Sequence, residues 1–354
     1  MDIREDFRTN IHEEILQGSE IIKILNYIPT LDSGKAGLCD CLPRYLKMYS
    51  RHDMVLCGAA TFHNYNCDDF DIVHVHGGVE PEFFELGSKF IYDIHAYNLV
   101  CPVGNYCCQI LNRFLDKPLT CLNCLGNVGI RTGMANMEKY FTLARKADMV
   151  AVHSKYMCEF YHTWNPTMLP VPMETDELLP CDDKKDYLFY TGRMSYEKNP
   201  YGFVEIVKRS GMKGVMCLYD LSVDETKTRQ HYEDLLNCKD VEIVLNPTKQ
   251  EMISLVQHAK MTVLPYFFAE PLGIAAINSI LCGTPVVAFG YGNYRNLTCL
   301  LPKNLNDMVS MVQMDDSRYR DAICAVKTMG DKLRIEHDPK RAVEVWDSVY
   351  DTLK

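Results

Sequence analysis

Short apolar runs rich in Val, Ile and Tyr alternate with helix-spaced segments, and they do so in two successive stretches of the chain. In the first stretch, residues 21–28, 71–76, 90–95 and 149–153 read as strands. In the second, residues 187–190, 214–219, 241–245, 261–265 and 285–289 read as strands. Residues 199–209, 228–237, 249–259 and 273–281 between them carry helical spacing. Strands that are apolar throughout are buried on both faces, and helices between them indicate parallel sheets covered on both sides. At 354 residues the chain also exceeds what one core ordinarily serves, so two doubly wound α/β domains are expected. Pro170 and Pro172 interrupt both patterns and place the join there. The domains are therefore read as 1–172 and 173–336, and an amphipathic helix within 337–354 is expected to pack back on the first. Two such domains in tandem leave a cleft between the carboxyl ends of their sheets, where open α/β sheets bind ligands.

Composition narrows the setting. Apolar residues make up 47% and charged residues 24% of the chain, which fits a packed enzyme rather than a disordered segment. No run approaches the ~18 apolar residues that span a bilayer, and the amino terminus is charged, with no apolar signal core. A cytoplasmic setting follows as the expectation, with the 16 cysteines reduced. A net charge of −10 disfavours nucleic acid and anionic lipid as partners.

The chemistry is concentrated in the second stretch. Gly192, Arg193, Glu197 and Lys198 lie in a segment that follows a strand and precedes a helix. Arg193 can fork onto phosphate oxygens and Lys198 adds a compact charge, so a loop holding both at the cleft mouth would grip a diphosphate. It would also stabilise the charge that develops as the diphosphate leaves; the alternative is a solvated turn with two surface cations. Glu270-Pro271-Leu272-Gly273 then opens a helix whose free amides suit an anion. Glu270 can accept hydrogen bonds from sugar hydroxyls. Cys282-Gly283-Thr284-Pro285 closes that helix and leads into the next strand.

These three elements, in this order and spacing, resemble the retaining GT-B glycosyltransferases called glycosyl transferases group 1, or family four, over roughly residues 20 to 350. The resemblance implies two Rossmann-like domains facing each other across the cleft. It implies a nucleotide-diphosphate sugar, UDP- or GDP-linked, as donor, with Arg193 and Lys198 on the diphosphate and Glu270 on the transferred sugar. Gly34, Gly192, Leu272, Gly273, Ile274 and Asn278 complete the implied donor-binding set. The family usually has a second Glu where this chain has Asn278. A carboxylate accepts from two ribose hydroxyls, whereas an amide offers one acceptor and one donor group. The family generally needs no catalytic metal, since protein cations do the phosphate work.

In the first stretch, the loop after the first strand carries Ser33, Gly34 and Lys35, a partial match to the family's glycine pair. His95 ends a strand in a segment like the family's His-Asp-Tyr…Cys-Pro, which places that histidine over the donor sugar. Asp93 is assigned to the opposite face of its strand from His95. His74 and His76 are assigned to opposite layers, with His76 the weaker site candidate. Cys101, Cys107, Cys108, Cys121 and Cys124 have spacing compatible with a structural zinc; scattered reduced thiols are the competing reading.

The function expected is a retaining transferase acting on a hydroxyl acceptor: a saccharide, a lipid-linked saccharide or, less in keeping with the charge, a hydroxylated nucleobase in phage-type DNA. An inactive nucleotide-sugar binding protein is the alternative that Asn278 motivates. An epimerase would want a carboxylate pair at the sugar. A dinucleotide-dependent oxidoreductase would want a Gly-x-Gly-x-x-Gly after the first strand, which is absent.

Overall fold

The computed structural model describes residues 20–29, 31, 38–101, 130–219 and 233–354. Strands β1 (Lys23–Tyr27), β2 (Asp53–Cys57), β3 (Ile72–His76), β4 (Lys89–Asp93), β5 (Met149–Val152) and β6 (Thr167–Met168) form one sheet in the order β2-β1-β3-β4-β5-β6. Strands β7 (Lys185–Arg193), β8 (Lys213–Tyr219), β9 (Val241–Leu245), β10 (Ala259–Leu264), β11 (Val286–Ala288) and β12 (Cys299–Leu300) form a second, in the order β12-β11-β10-β7-β8-β9. Every pairing in both sheets is parallel. The described helices are α1 (Leu38–Tyr49), α2 (Ile130–Lys146), α3 (Lys155–Phe160), α4 (Pro200–Ser210), α5 (Glu233–Leu236), α6 (Lys249–His258), α7 (Ile274–Leu281), α8 (Leu305–Val312), α9 (Asp316–Glu336) and α10 (Pro339–Leu353). This is the GT-B arrangement of two Rossmann-like domains.

Local chemistry fixes the elements that matter for the cleft. Asn199 turns the chain in a left-handed conformation and caps α4 by accepting from the Gly202 amide, with Pro200 at the first helical position. Thr248 and Glu251 form a capping box that starts α6. Gly273, at φ +89, is the left-handed residue at which the chain enters α7.

Side chains in a strand alternate between faces, and the first sheet shows this in its two cores. Leu25, Tyr27, Val73, Val75, Phe90, Tyr92, Val150 and Val152 pack on one face. Ile24, Ile72, Ile91 and Ala151 pack on the other, against Trp346 and Tyr350 of α10. The last helix thus crosses back onto the first domain. The Trp346 indole donates to the Pro170 carbonyl at 2.9 Å, and Asp347 accepts from the Ser50 hydroxyl and the Arg51 amide.

In the second sheet the strand order reverses between β7 and β10, and in the first between β1 and β3. These are the switch points at whose carboxyl ends doubly wound sheets open a crevice.

Candidate active site

The loops after β7 and β10 leave the second sheet side by side at its switch point, so Arg193, Lys198 and Glu270 converge. Lys198 and Glu270 form an ion pair whose side chains are each only 13% exposed. The Lys198 ammonium also lies over the rings of Tyr266 and Phe268, 4.3 and 4.9 Å from their centroids. Arg193 Nη2 donates to Glu197 Oε1 at 2.9 Å, which also accepts from the Ser195 hydroxyl at 2.8 Å. The Arg193 side chain remains 46% exposed. One cation is therefore stored against a carboxylate and two aromatic faces, while the other is tethered and open.

The backbone of Glu270 is fixed as firmly as its side chain. Gly292 bridges it, and a Cβ at Gly292 would meet the Glu270 carbonyl oxygen at 2.3 Å and its nitrogen at 2.4 Å. The Asn293 amide donates to the Glu270 carbonyl at 2.8 Å, and the Asn293 side chain donates to the Leu272 carbonyl at 2.8 Å. Two hydroxyls of the first domain hold the adjoining carbonyls: Tyr97 donates to Ala269 and Ser154 to Pro271. Glu270 thus sits on the seam between the domains. Gly192 lets the Tyr190 and Tyr266 hydroxyls close on the backbone, since a Cβ there would meet them at 2.9 and 3.1 Å. Leu272 and Gly273 lead into the first turn of α7, which Ile274 opens and no side chain caps. Asn278 lies one turn further along α7, its side-chain oxygen buried and without a hydrogen-bond partner.

The first-domain histidines are arranged differently from expectation. His74 and His76 are two residues apart on β3 and therefore share a face; their rings lie 4.0 Å apart. Asp93 shares that face as well, at the end of β4. His74 Nε2 is 3.4 Å, His76 Nδ1 3.3 Å and His95 Nε2 3.5 Å from Asp93 Oδ2, and His153 Nε2 is 2.7 Å from Asp93 Oδ1. The assignments of His74 and His76 to opposite layers and of Asp93 away from His95 are both corrected, because positions i and i+2 of an extended chain point the same way. The His95 ring is only 6% exposed and is turned into this cluster. Burial pushes His95 and His74 down to about 3. Burial also opposes charge on His153, but the Asp93 carboxylate and the Leu169 carbonyl outweigh it and hold His153 above its usual value. Asp93 is held well below the usual carboxylate range because His153 and His95 outweigh its own burial.

Gly34, Cys107, Cys108, Cys121 and Cys124 lie outside the described residues; Cys101 is buried at the end of the segment that follows His95. Sequence reasoning missed Tyr266, Phe268, Gly292, Tyr97, Ser154 and His153. The aromatic residues two and four positions before Glu270 were the available signal for the cation box. The others act through contacts distant in sequence.

Comparison with known proteins gives three findings. Residues 174–299 match the profile of glycosyl transferases group 1. No curated protein matches the sequence. Among solved structures, sucrose-phosphate synthase (tll1590) from Thermosynechococcus elongatus is similar over 94% of this chain and 99% of its own, with TM-score 0.71 and 14% identity. Anabaena Alr3699/HepE in complex with UDP-glucose is similar over 94% of this chain and 100% of its own, with TM-score 0.67 and 11% identity. AviGT4, a glycosyltransferase involved in Avilamycin A biosynthesis, covers 94% of this chain and 98% of its own at TM-score 0.57 and 14% identity. At such identities the structural likeness carries the fold. Among the described residues no helix is long and apolar enough to cross a membrane.

Proposed function

We propose that this chain, whose residues 174–299 match the profile of glycosyl transferases group 1 and whose two parallel sheets have the GT-B arrangement, is a glycosyltransferase that moves a sugar from a nucleotide-diphosphate donor to a hydroxyl acceptor with retention of anomeric configuration. The observation that carries this reading is the Lys198–Glu270 pair at the switch point, beside the open Arg193. Each partner of the pair has a second role. When a donor arrives, Lys198 exchanges a carboxylate for the diphosphate, and Glu270 turns its oxygens to the sugar hydroxyls.

As the bond from the anomeric carbon to the diphosphate breaks, Arg193 and Lys198 stabilise the charge that gathers on the leaving oxygens. The acceptor oxygen forms its bond on the same face, and its proton passes to the departing diphosphate. That route needs no carboxylate base. Asp93 is buried among histidines and is unsuited to that task. His95 plays no part in the step on this reading, since its Nε2 faces His76 and Asp93. A saccharide or lipid-linked saccharide is the acceptor class favoured over nucleic acid, which the net charge of −10 opposes. A UDP-linked donor is favoured by the UDP-glucose complex of the Anabaena relative.

A nucleotide-sugar binding protein without turnover is the second reading. It is favoured by Asn278, whose unsatisfied oxygen stands where a ribose-binding carboxylate is expected. The deciding experiment is a thermal-stability screen of the purified chain with UDP, GDP, ADP, CMP and their sugar conjugates, followed by assays of donor hydrolysis. A ligand at 100 times its dissociation constant adds about 2.7 kcal/mol, well within reach of a melting measurement. A selective shift with slow hydrolysis is expected. Binding without any hydrolysis or transfer would favour the second reading, and no shift with any nucleotide would sink both.

A further inference from the structure

The cluster around Asp93 buries more hydrogen-bonding atoms than it pairs with good alignment. The Leu169 carbonyl can only accept, so His153 Nδ1, 3.1 Å away, carries a ring proton, and Nε2 faces Asp93 Oδ1 at 2.7 Å. Asn26 Nδ2 points at the Met54 sulfur, 3.6 Å away, which turns Asn26 Oδ1 toward His76 Nε2 at 3.1 Å. His76 therefore carries its proton on Nε2. Its Nδ1 accepts from His95 Nε2 at 3.1 Å, which leaves His95 Nδ1 as a lone pair.

Three buried atoms here lack any hydrogen-bond partner: His95 Nδ1, His153 Nε2 and Asp93 Oδ1. His95 Nδ1 and Asp93 Oδ1 offer electron pairs as they stand, and His153 Nε2 offers one once an incoming cation displaces its proton. They belong to three residues whose ligand atoms lie within 4.8 Å of one another. The side chains of His95, His153 and Asp93 are 6%, 2% and 0% exposed, so water does not relieve them. His153 Nε2 and Asp93 Oδ1 approach to 2.7 Å without the alignment of a hydrogen bond.

We propose that Asp93, His95 and His153 hold a divalent transition-metal ion of the zinc type. Two imidazole nitrogens and one carboxylate oxygen are a donor set suited to zinc or iron(II) with positions left open. The outer shell is in place. Leu169 orients His153, and His76 orients His95. His74 meets the second carboxylate oxygen of Asp93 at 3.4 Å while its other nitrogen meets the Tyr350 hydroxyl at 3.0 Å. The ion would tie the ends of β4 and β5 together directly beneath the seam. Ser154 follows one ligand and Tyr97 lies two residues after another, and both hold the carbonyls that flank Glu270. The proposal is independent of the transfer reaction, since metal content is measured with no sugar donor present.

The test is metal analysis of the untagged full chain purified without chelator, followed by titration of chelator-stripped protein with zinc and with cobalt(II). The Cys121→Ser/Cys124→Ser variant is treated in parallel to remove thiolate ligands. About one zinc per chain is expected in both proteins. The cobalt-loaded cysteine variant should show ligand-field bands of nitrogen and oxygen ligation with no thiolate charge transfer. His153→Gln and His95→Gln should each bind zinc at least tenfold more weakly, and His74→Phe, which removes only the outer-shell contact, about 10–100-fold more weakly. The proposal fails if the folded wild-type chain takes up neither metal, or if all binding disappears with the two cysteines. It also fails if zinc affinity survives both histidine substitutions. Should those variants not fold, the cobalt spectrum of the cysteine variant decides alone.

Discussion

Lys198 and Glu270 each need a counter-charge while no donor is bound, and each supplies the other's. That pairing is why a cation and a carboxylate can stand at 13% exposure without a ligand. Removing one strands its partner, so Lys198→Ala removes transition-state charge stabilisation and also leaves Glu270 uncompensated. Turnover is expected to fall about 10²-fold with the far-ultraviolet circular dichroism unchanged, and a rate near wild type would remove Lys198 from the site. Asn278→Glu tests the neighbouring contact. If the ribose is only weakly held, the dissociation constant of the nucleotide should fall by about tenfold, one charge-assisted hydrogen bond's worth; calorimetric titration reads this, and an unchanged constant would mean another nucleotide pose. Arg193 and Lys198 were legible because they stand five residues apart in one loop, and Glu270 because it opens the Glu-Pro-Leu-Gly run before a helix. The Asp93 cluster was not. Its members come from three strands and the loops after them, and only the register His76 opposite Asp93 brings them together.

Elements that bury two faces announced themselves, and those that bury little did not. The central strands β1, β3, β4, β7, β8 and β10 are apolar runs in sequence, and their positions follow from that. β6 and β12 are two residues each, too short for any periodicity, and β2 opens on an exposed Asp53. The 21-residue α9 buries only Val326, Gly330 and Leu333, which leaves a stripe too thin to read. Helix α10 is the opposite case, because Ala342, Val343, Trp346 and Tyr350 on one face are all buried. The surface it covers is that of the first sheet. Trp346 is fully buried there and packs 4.9 Å from His74. Trp346→Ala should destabilise the fold by about 3–5 kcal/mol through lost burial and the cavity left behind. The denaturant midpoint checks this, and a loss below about 1 kcal/mol would mean that α10 is not docked as described.

Each domain has a core of its own, so whatever holds their relative position must act at the seam. Three kinds of contact do so. Phe268 and Ala269 of the second domain are buried in the core of the first. Arg295 pairs with Glu159 at 2.7 Å and lies over the Tyr156 ring. Tyr97 and Ser154 hold the carbonyls on either side of Glu270. The first contact resists separation through buried area, and the exposed ion pair adds little. The two hydroxyls are different, because they set where Glu270 stands relative to the first domain without touching Arg193 or Lys198. Removing both in Tyr97→Phe/Ser154→Ala should cost stability by roughly 1–3 kcal/mol, two neutral hydrogen bonds' worth. The functional consequence separates the two halves of the proposed donor site. If Glu270 handles the sugar while the cations handle the diphosphate, misplacing the loop lowers kcat/KM for the sugar donor by about 10²-fold and leaves the affinity for the free nucleoside diphosphate unchanged. Equal losses in both would mean that the loop serves the diphosphate, and that the division of labour between Lys198 and Glu270 is drawn in the wrong place. No loss in either would mean that donor binding itself closes the domains strongly enough to impose the position these hydroxyls otherwise set.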